Sequence, residues 1–119
     1  MTLGYRFYYS RNMETTQALQ ALSALAQESR LSIFRLLVQA WPQGMAAGAI
    51  GEALELPPAT LSFHLVGLTR AGLAQSRQDG RFVIYSTDYA AVNALVGYLT
   101  ENCCQGATCE TTTRTRRRA

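Results

Sequence analysis

The 119-residue chain contains no lysine, a single histidine, and no apolar run near the roughly 20 residues that a membrane-spanning helix needs. Its first residues, MTLGYRFYYSRN, also lack the apolar middle of a signal peptide, so we expect a cytoplasmic protein with no membrane partner. Three cysteines are an odd number, and two of them are adjacent, which does not predict a disulfide scaffold. Metal binding and thiol redox chemistry are the alternatives that these cysteines leave open.

The charge of the chain is unevenly distributed. All 11 basic residues are arginines, and four of them lie within the last six positions (Arg114, Arg116, Arg117 and Arg118). The other seven arginines are balanced by eight acidic residues, so residues 1–113 carry a net charge of −1. The pI of about 9.0 therefore describes a basic tail on a nearly neutral body, which is weak evidence for nucleic-acid binding. With 48% hydrophobic residues, we expect one domain with a core of its own.

One stretch, Leu56–Leu73, organises the rest of the chain. Its sequence LPPATLSFHLVGLTRAGL is opened by two prolines and closed by Gly72, and prolines favour a helix start as glycine favours the position just past its end. Three leucines recur at helical spacing and predict one buried stripe: Leu61, Leu65 and Leu68. The opposite side is short and polar enough to approach a ligand.

Helical periodicity also predicts helices over residues 15–27, 28–41, 46–56 and 89–102. The second should be a core helix, with an apolar stripe of Leu31, Phe34, Val38 and Trp41 flanked by Ile33 and Leu37. The first and last carry further stripes, including Leu19 and Leu22 in one and Val92, Leu95, Val96 and Leu99 in the other. One chain leaves these two stripes little to pack against, so we expect a homodimer.

After Gly72 the period changes from helical to alternating, in two runs that Asp79-Gly80 separates. This dipeptide is a strong hairpin signal, because a tight turn needs positive φ. The predicted helix over residues 46–56 meets the Leu56–Leu73 helix after a very short turn, which is typical of a helix-turn-helix. A hairpin directly after a helix-turn-helix is a wing, and Arg77 and Arg81 should lie near its tip. The expected fold is therefore mainly α with a β-hairpin wing (α+β), a homodimeric winged helix-turn-helix. Residues 1–14 would be an extension, residues 15–102 the DNA-binding and dimerisation domain, and residues 103–119 a sensor segment with a basic tail.

Two segments resemble a known family. Ser62-Phe63-His64-Leu65 with Leu68–Leu73, and Ala24–Ile33 upstream, are similar to the ArsR/SmtB family of small dimeric winged-helix repressors, from about Leu22 through Tyr98. The resemblance implies that the long central helix enters the major groove of double-stranded operator DNA while the wing meets the backbone or minor groove. The residues assigned to DNA on this basis are Thr60, Ser62, Phe63, His64, Arg70, Arg77 and Arg81.

Two of these assignments carry alternatives. Many members of the family have arginine where this chain has Phe63, so its contact must be apolar, to a thymine methyl for example, or the ring must turn inward. His64 either contacts DNA or is a half-buried core histidine.

The cysteines form a second candidate site: Cys103, Cys104 and Cys109. Three thiolates without a nearby histidine make a poor site for structural zinc, which takes four ligands, whereas As(III) or Sb(III) takes three thiolates in a pyramid. Adjacent cysteines on a continuous helix would point about 100° apart. We therefore expect the last helix to end at or before Cys103, and Gly106 to turn the chain back towards Cys109.

The resemblance narrows the choice of sensor site. Ala46 and Gly48 stand where many arsenic, cadmium and lead sensors of the family have Cys-x-Cys, and the lone His64 cannot supply the family's zinc or nickel site. The chain is similar to the arsenic-responsive subgroup with an adjacent cysteine pair and a third cysteine after the last helix. This similarity implies a repressor that leaves its operator when As(III), or Sb(III), binds, and that needs no organic cofactor.

Two other functions were compared with this one. A redox-sensing repressor would pair Cys103 or Cys104 reversibly with Cys109, and a cysteine pair in a tail can also be incidental. An arsenate reductase or phosphatase with a phosphate-cradling loop would need Cys-x5-Arg, but Thr115 occupies the required position after Cys109 and Arg114 lies one residue short. The cysteines also lie in a tail without a preceding strand, so we expect no enzyme.

Overall fold

A computed structural model describes residues 13–106, and in this range five α-helices pack around a three-stranded antiparallel sheet. The helices are α1 (Thr15–Leu25), α2 (Glu28–Gln39), α3 (Ala47–Leu54), α4 (Pro58–Arg70) and α5 (Tyr89–Leu99). The strands are β1 (Met45–Ala46), β2 (Ala74–Asp79) and β3 (Phe82–Thr87), in the order β1-β3-β2. The winged helix-turn-helix predicted from the sequence is confirmed. Residues 1–12 and 107–119, which include Cys109 and the arginine-rich tail, lie outside the described range.

The core is built on the predicted leucine stripe of α4. Leu61, Leu65 and Leu68 are buried and pack in one cluster with residues of α1, α2, α3 and β2. The helix ends as the sequence predicts, because Gly72 has a φ of +80° and lets the amide of Leu73 donate to the carbonyl of Leu68 at 3.0 Å. This ending turns the chain directly into β2 and so fixes the wing beside α4.

The prediction that the Leu31, Phe34, Val38 and Trp41 stripe of α2 faces the core is wrong. Ile33 and Leu37 are completely buried, whereas the side chains of Leu31, Val38 and Trp41 are 43%, 41% and 46% exposed. The helix is apolar over a wide arc, so periodicity alone does not decide which side faces the core. Trp41 instead stacks on Tyr89 at the start of α5, with ring centroids 4.8 Å apart.

Helix α1 also turns its large side chains outward. Its buried residues are the alanines Ala18, Ala21 and Ala24, while Leu19 and Leu22 are 60% and 39% exposed. Small side chains allow close packing against α2 and α4. The two leucines are therefore left on the surface, as expected for a stripe that one chain cannot bury.

The sheet contains a strand that the sequence did not predict. Strand β1 has two residues, too few to show a period, and it pairs Met45 with Tyr85 and Ala46 with Ile84. The hairpin is as predicted, with β2 and β3 paired from Ala74 opposite Thr87 to Asp79 opposite Phe82. Strand β1 thus joins the loop before α3 to the wing.

Helix α5 begins at the predicted cap and ends earlier than predicted. The Asp88 carboxylate accepts from the amide of Ala91 at 3.3 Å, and the helix stops at Leu99 rather than near residue 102. A hydrogen bond of 2.6 Å between the hydroxyls of Thr15 and Tyr98 joins α5 to α1. In the part of the chain between residues 13 and 106, no helix is long and apolar enough to cross a membrane.

The turn before β1 should be sensitive to a single added methyl group. Gly44 has a φ of +84°, and a Cβ there would collide with the carbonyl oxygen of Tyr85. Gly72 has a similar φ of +80°, but its Cβ would meet nothing within 4 Å. Gly72→Ala should therefore lower the free energy of unfolding by about 1–2 kcal/mol through backbone strain alone.

Gly44→Ala should lower it by about 1–3 kcal/mol more, because the collision adds to the same strain. Urea denaturation of both variants measures the difference. Equal losses would show that the Gly44 turn yields to the methyl group without cost.

Candidate nucleic-acid interface

The outward face of α4 holds most of the side chains assigned to DNA. Thr60, Ser62 and Arg70 are exposed, and Phe63 is 70% exposed. They lie outside because the leucine stripe of the helix faces the core. The structure thus brings four of the assigned residues onto one surface, where a helix-turn-helix presents its reading helix.

His64 does not share that surface, and the prediction that it faces the groove is wrong. Its side chain is only 7% exposed because it lies on the same side of α4 as Leu65 and Leu68. Nδ1 of His64 lies 3.3 Å from a terminal guanidinium nitrogen of Arg30. Guanidinium groups only donate hydrogen bonds, so Nδ1 is the acceptor and the ring carries its proton on Nε2. The core-histidine alternative is the correct one.

The surroundings of His64 favour the neutral form of its ring. Burial lowers the pKa of the imidazole below its ordinary value of 6.5, and the nearby positive charge of Arg30 lowers it further. A neutral ring adds no charge to the outward face of α4. It instead supports its neighbour, because the Phe63 ring stands against it edge to face, with centroids 5.4 Å apart and an interplanar angle of 67°.

Arg30 is a structural part of this site that the sequence did not reveal. Its Nε donates to the carbonyl of Ala24 at 2.8 Å while the guanidinium reaches His64, so one side chain links α1, α2 and α4. The arginine passes over Gly67, where an added Cβ would lie 3.3 Å from Cδ of Arg30. A glycine in mid-helix, with no turn to make, is the signal that would have indicated such a close approach.

The wing carries the two remaining assigned residues. Arg77 lies in β2 opposite Ile84, and Arg81 follows the glycine of the turn, where Gly80 has a φ of +63°. Both arginines are exposed, and the exposed Asp79 lies between them. Their assignment to backbone or minor groove stays a prediction.

The chain makes a tight left-handed turn directly after α5. Asn102, Cys104 and Gln105 have φ values of 59°, 56° and 55°, so the helix ends before Cys103 as predicted. The sulfur atoms of Cys103 and Cys104 lie 3.7 Å apart. Cys103 is an exposed free thiol and Cys104 is disulfide-bonded. Among residues 13–106 no three metal-ligating side chains cluster, and Cys109, the third predicted ligand, lies outside this range.

Comparison with known proteins agrees with this geometry. The profile of a family described as "Helix-turn-helix domain" matches residues 25–77, which run from the end of α1 into β2. The transcriptional activator HlyU of Vibrio cholerae is 32% identical over 91 residues, which cover 76% of this chain and 82% of that protein. The chain belongs to the ArsR family of winged helix-turn-helix transcriptional regulators.

Solved structures agree with membership of the ArsR family. HlyU from Vibrio cholerae matches with a TM-score of 0.61 and 33% identity over 78% of this chain and all of that one. The homodimeric DNA-binding domain of a possible ArsR-family regulator from Mycobacterium bovis matches with a TM-score of 0.59 and 27% identity, over 85% of this chain and 89% of that one. A possible transcriptional regulator for arsenical resistance matches with a TM-score of 0.58 and 26% identity, over 67% of this chain and 79% of that one. HlyU has also been solved in a form described as reduced.

Membership of the ArsR family settles the class of function. The relatives are named as transcriptional regulators, and the protein is accordingly a transcriptional regulator with a helix-turn-helix fold and not an enzyme. HlyU is named as an activator, so the family by itself does not fix the direction of regulation. The ligand and the sign of the response therefore depend on this chain's own residues.

The buried His64 should make stability depend on pH. It is the only histidine of the chain. As pH falls, the imidazole of the unfolded chain is protonated before that of the folded protein, because its pKa is higher than that of the buried ring. The free energy of unfolding should therefore be fully maintained above about pH 6.5 and should decrease as pH falls below that value.

Urea denaturation at about pH 7.5 and pH 5.5 measures the decrease. The variant His64→Gln keeps a hydrogen-bond acceptor but cannot titrate in this range, so it should not show this decrease in the free energy of unfolding. An NMR titration of the ring should give a midpoint below 6.5, the ordinary value. A midpoint at or above that value would contradict the buried, neutral ring.

Proposed function

We propose that the protein is a homodimeric repressor that binds operator DNA and releases it when As(III) is bound by Cys103, Cys104 and Cys109. The observation that carries this proposal is the left-handed turn after α5, in which the Cys103 and Cys104 sulfurs lie 3.7 Å apart. Two thiolates on one thiophilic ion, with metal–sulfur bonds of about 2.3 Å, stand about 3.3–3.8 Å apart. The observed separation, which belongs to the form with Cys104 in a disulfide, lies within this range.

The chemistry of the donor set also fits As(III). Three thiols replace the three hydroxyl groups of arsenous acid and release three water molecules, so the exchange balances without an oxidant. Soft thiolates favour soft or thiophilic ions, and Sb(III) has the same requirement. Cys109 would supply the third thiolate, and Cys104 would have to be reduced first. The similar structure described as a possible transcriptional regulator for arsenical resistance supports this choice of ligand.

The exposed faces of α1 and α5 support the homodimer. Leu19 and Leu22 on α1, together with Val96 and Leu99 on α5, leave between 39% and 60% of each side chain in water. A hydrogen bond between the hydroxyls of Thr15 and Tyr98 connects the two helices. Burial of such a surface in a second copy is favourable by about 25 cal/mol for each Å² of apolar area. The homodimeric relative from Mycobacterium bovis supports the same assembly.

The position of the cysteines suggests how ion binding would affect DNA binding. Their turn directly follows α5, so a bound ion would restrain the end of a helix that belongs to the proposed dimer interface. Repacking of α5 would change the angle between the two copies of α4 and so weaken their simultaneous fit to two half-sites about 34 Å apart. Each ligand would weaken the binding of the other by the same factor.

The dimer can be tested with two matched valines. Val96 on α5 is 54% exposed and Val38 on α2 is 41% exposed. Val96→Glu should give a monomer, because a charge would be buried in the interface, whereas Val38→Glu should leave the dimer intact. Sedimentation equilibrium measures both. A Val96→Glu variant that stays dimeric would place the interface elsewhere.

The sensor can be tested on the reduced protein. As(III) should weaken operator affinity of the wild type by about 5- to 150-fold, the usual range of allosteric coupling. Cys103→Ser and Cys104→Ser should bind operator as the wild type does and show no change with As(III), since each removes one of three ligands. Fluorescence anisotropy of labelled operator measures the response. A normal response in both variants would exclude this site.

A redox-sensing repressor is the second candidate, because Cys104 is disulfide-bonded and HlyU has been solved in a reduced form. In this case peroxide would oxidise two thiols to a disulfide, taking two electrons and two protons and giving two molecules of water. Operator release by peroxide without As(III) would favour this function. Release by As(III) alone, in the reduced protein, would favour the arsenic sensor.

A further inference from the structure

The DNA-facing side of α4 is apolar along its centre. Ala59, Phe63, Val66 and Arg70 follow one another at i, i+4, i+7 and i+11, which places them on one line along the helix. The first three form what we call the apolar ridge (Ala59, Phe63 and Val66). Phe63 and Val66 are 70% and 43% exposed, and only Arg70 at the end of the line is charged.

We propose that the apolar ridge reads thymine methyl groups, so that each operator half-site requires thymines at the positions that face Phe63 and Val66. This inference rests on the proposed DNA binding and specifies its target. The C5-methyl group of thymine is the one apolar feature that a base presents in the major groove. An exposed phenyl ring on a reading helix matches this feature in chemistry.

The spacing of the ridge suits neighbouring bases. Phe63 and Val66 are three residues apart, which corresponds to about 4.5 Å along a helix. Successive bases on one strand of DNA are about 3.4 Å apart, so the two side chains can meet adjacent or nearly adjacent thymines. Thr60 and Ser62 flank the ridge with hydroxyl groups that can bond neighbouring base edges or phosphates.

The surroundings of Phe63 keep its ring directed outward. The ring stands edge to face against His64, which is itself buried and held by Arg30. An inward rotation would require the space that His64, Leu61 and Leu65 already fill. The ridge is therefore a preformed surface rather than a side chain waiting to be buried, and its contacts should discriminate one methyl group.

The test replaces thymine by uracil, which removes the methyl group and leaves every hydrogen-bonding atom in place. The operator is first obtained by selecting duplexes from a random pool with the wild-type protein, and deoxyuridine is then introduced at its thymines one at a time. At the positions facing the ridge, affinity should fall about fourfold for each methyl removed, the factor expected for burying one methyl-sized group. Symmetric replacement in both half-sites should lower the affinity about fifteenfold.

Phe63→Ala should remove this discrimination, so that thymine and uracil operators bind equally at the position it faces. Because Phe63 is 70% exposed, the variant should fold, and its circular dichroism checks this. Phe82→Ala is the matched control, since Phe82 is 56% exposed in the wing. A wing at the backbone or minor groove does not meet the methyl group, so this variant should keep the thymine-to-uracil ratio.

The outcomes separate the two proposals. A wild-type protein that selects no duplex would overturn the proposed DNA binding itself. Selective binding with equal affinity for thymine and uracil operators would overturn only the ridge. If Phe63→Ala still binds the thymine operator more tightly than the uracil operator, Phe63 is not the residue that recognises the methyl group.

Discussion

Burial of the Leu61, Leu65 and Leu68 stripe anchors α4 against α1, α2, α3 and β2. Three fully or nearly fully buried leucines contribute about 1.5–3 kcal/mol each, which is enough to fix the rotation of the helix about its axis. That rotation determines which residues face outward and leaves Phe63 in water. It also turns His64 inward, where Arg30 satisfies its ring nitrogen at 3.3 Å. The reading surface is therefore a consequence of core packing.

The parts of the fold that were predictable are those with strong local signals. Proline and glycine bracket α4 in the sequence, and Asp79-Gly80 marks the hairpin, because few other residues suit those backbone conformations. Strand β1 was missed because two residues carry no period, and it exists only through pairing with β3. The rotation of α2 was missed because its apolar residues cover too wide an arc to define one direction.

The candidate site divides in the same way. Thr60, Ser62 and Phe63 face outward as expected for residues between the leucines of one stripe. His64 turns inward with the leucine stripe, and its contact with Arg30, 34 positions earlier, has only the mid-helix Gly67 as a local signal. The end of α5 before Cys103 followed from the geometry of adjacent cysteines, whereas the residues that adopt left-handed conformations, Asn102, Cys104 and Gln105, did not.

The proposed regulator separates its two functions by position. DNA would be read by α4, while the ion would be bound beyond α5, and only the dimer interface would connect them. Such a connection requires reciprocal coupling, so the most direct measurement is the As(III) affinity of the reduced protein with and without saturating operator. The account predicts that operator weakens As(III) binding by the same factor, about 5- to 150-fold, by which As(III) weakens operator binding. An As(III) affinity that operator leaves unchanged would contradict it.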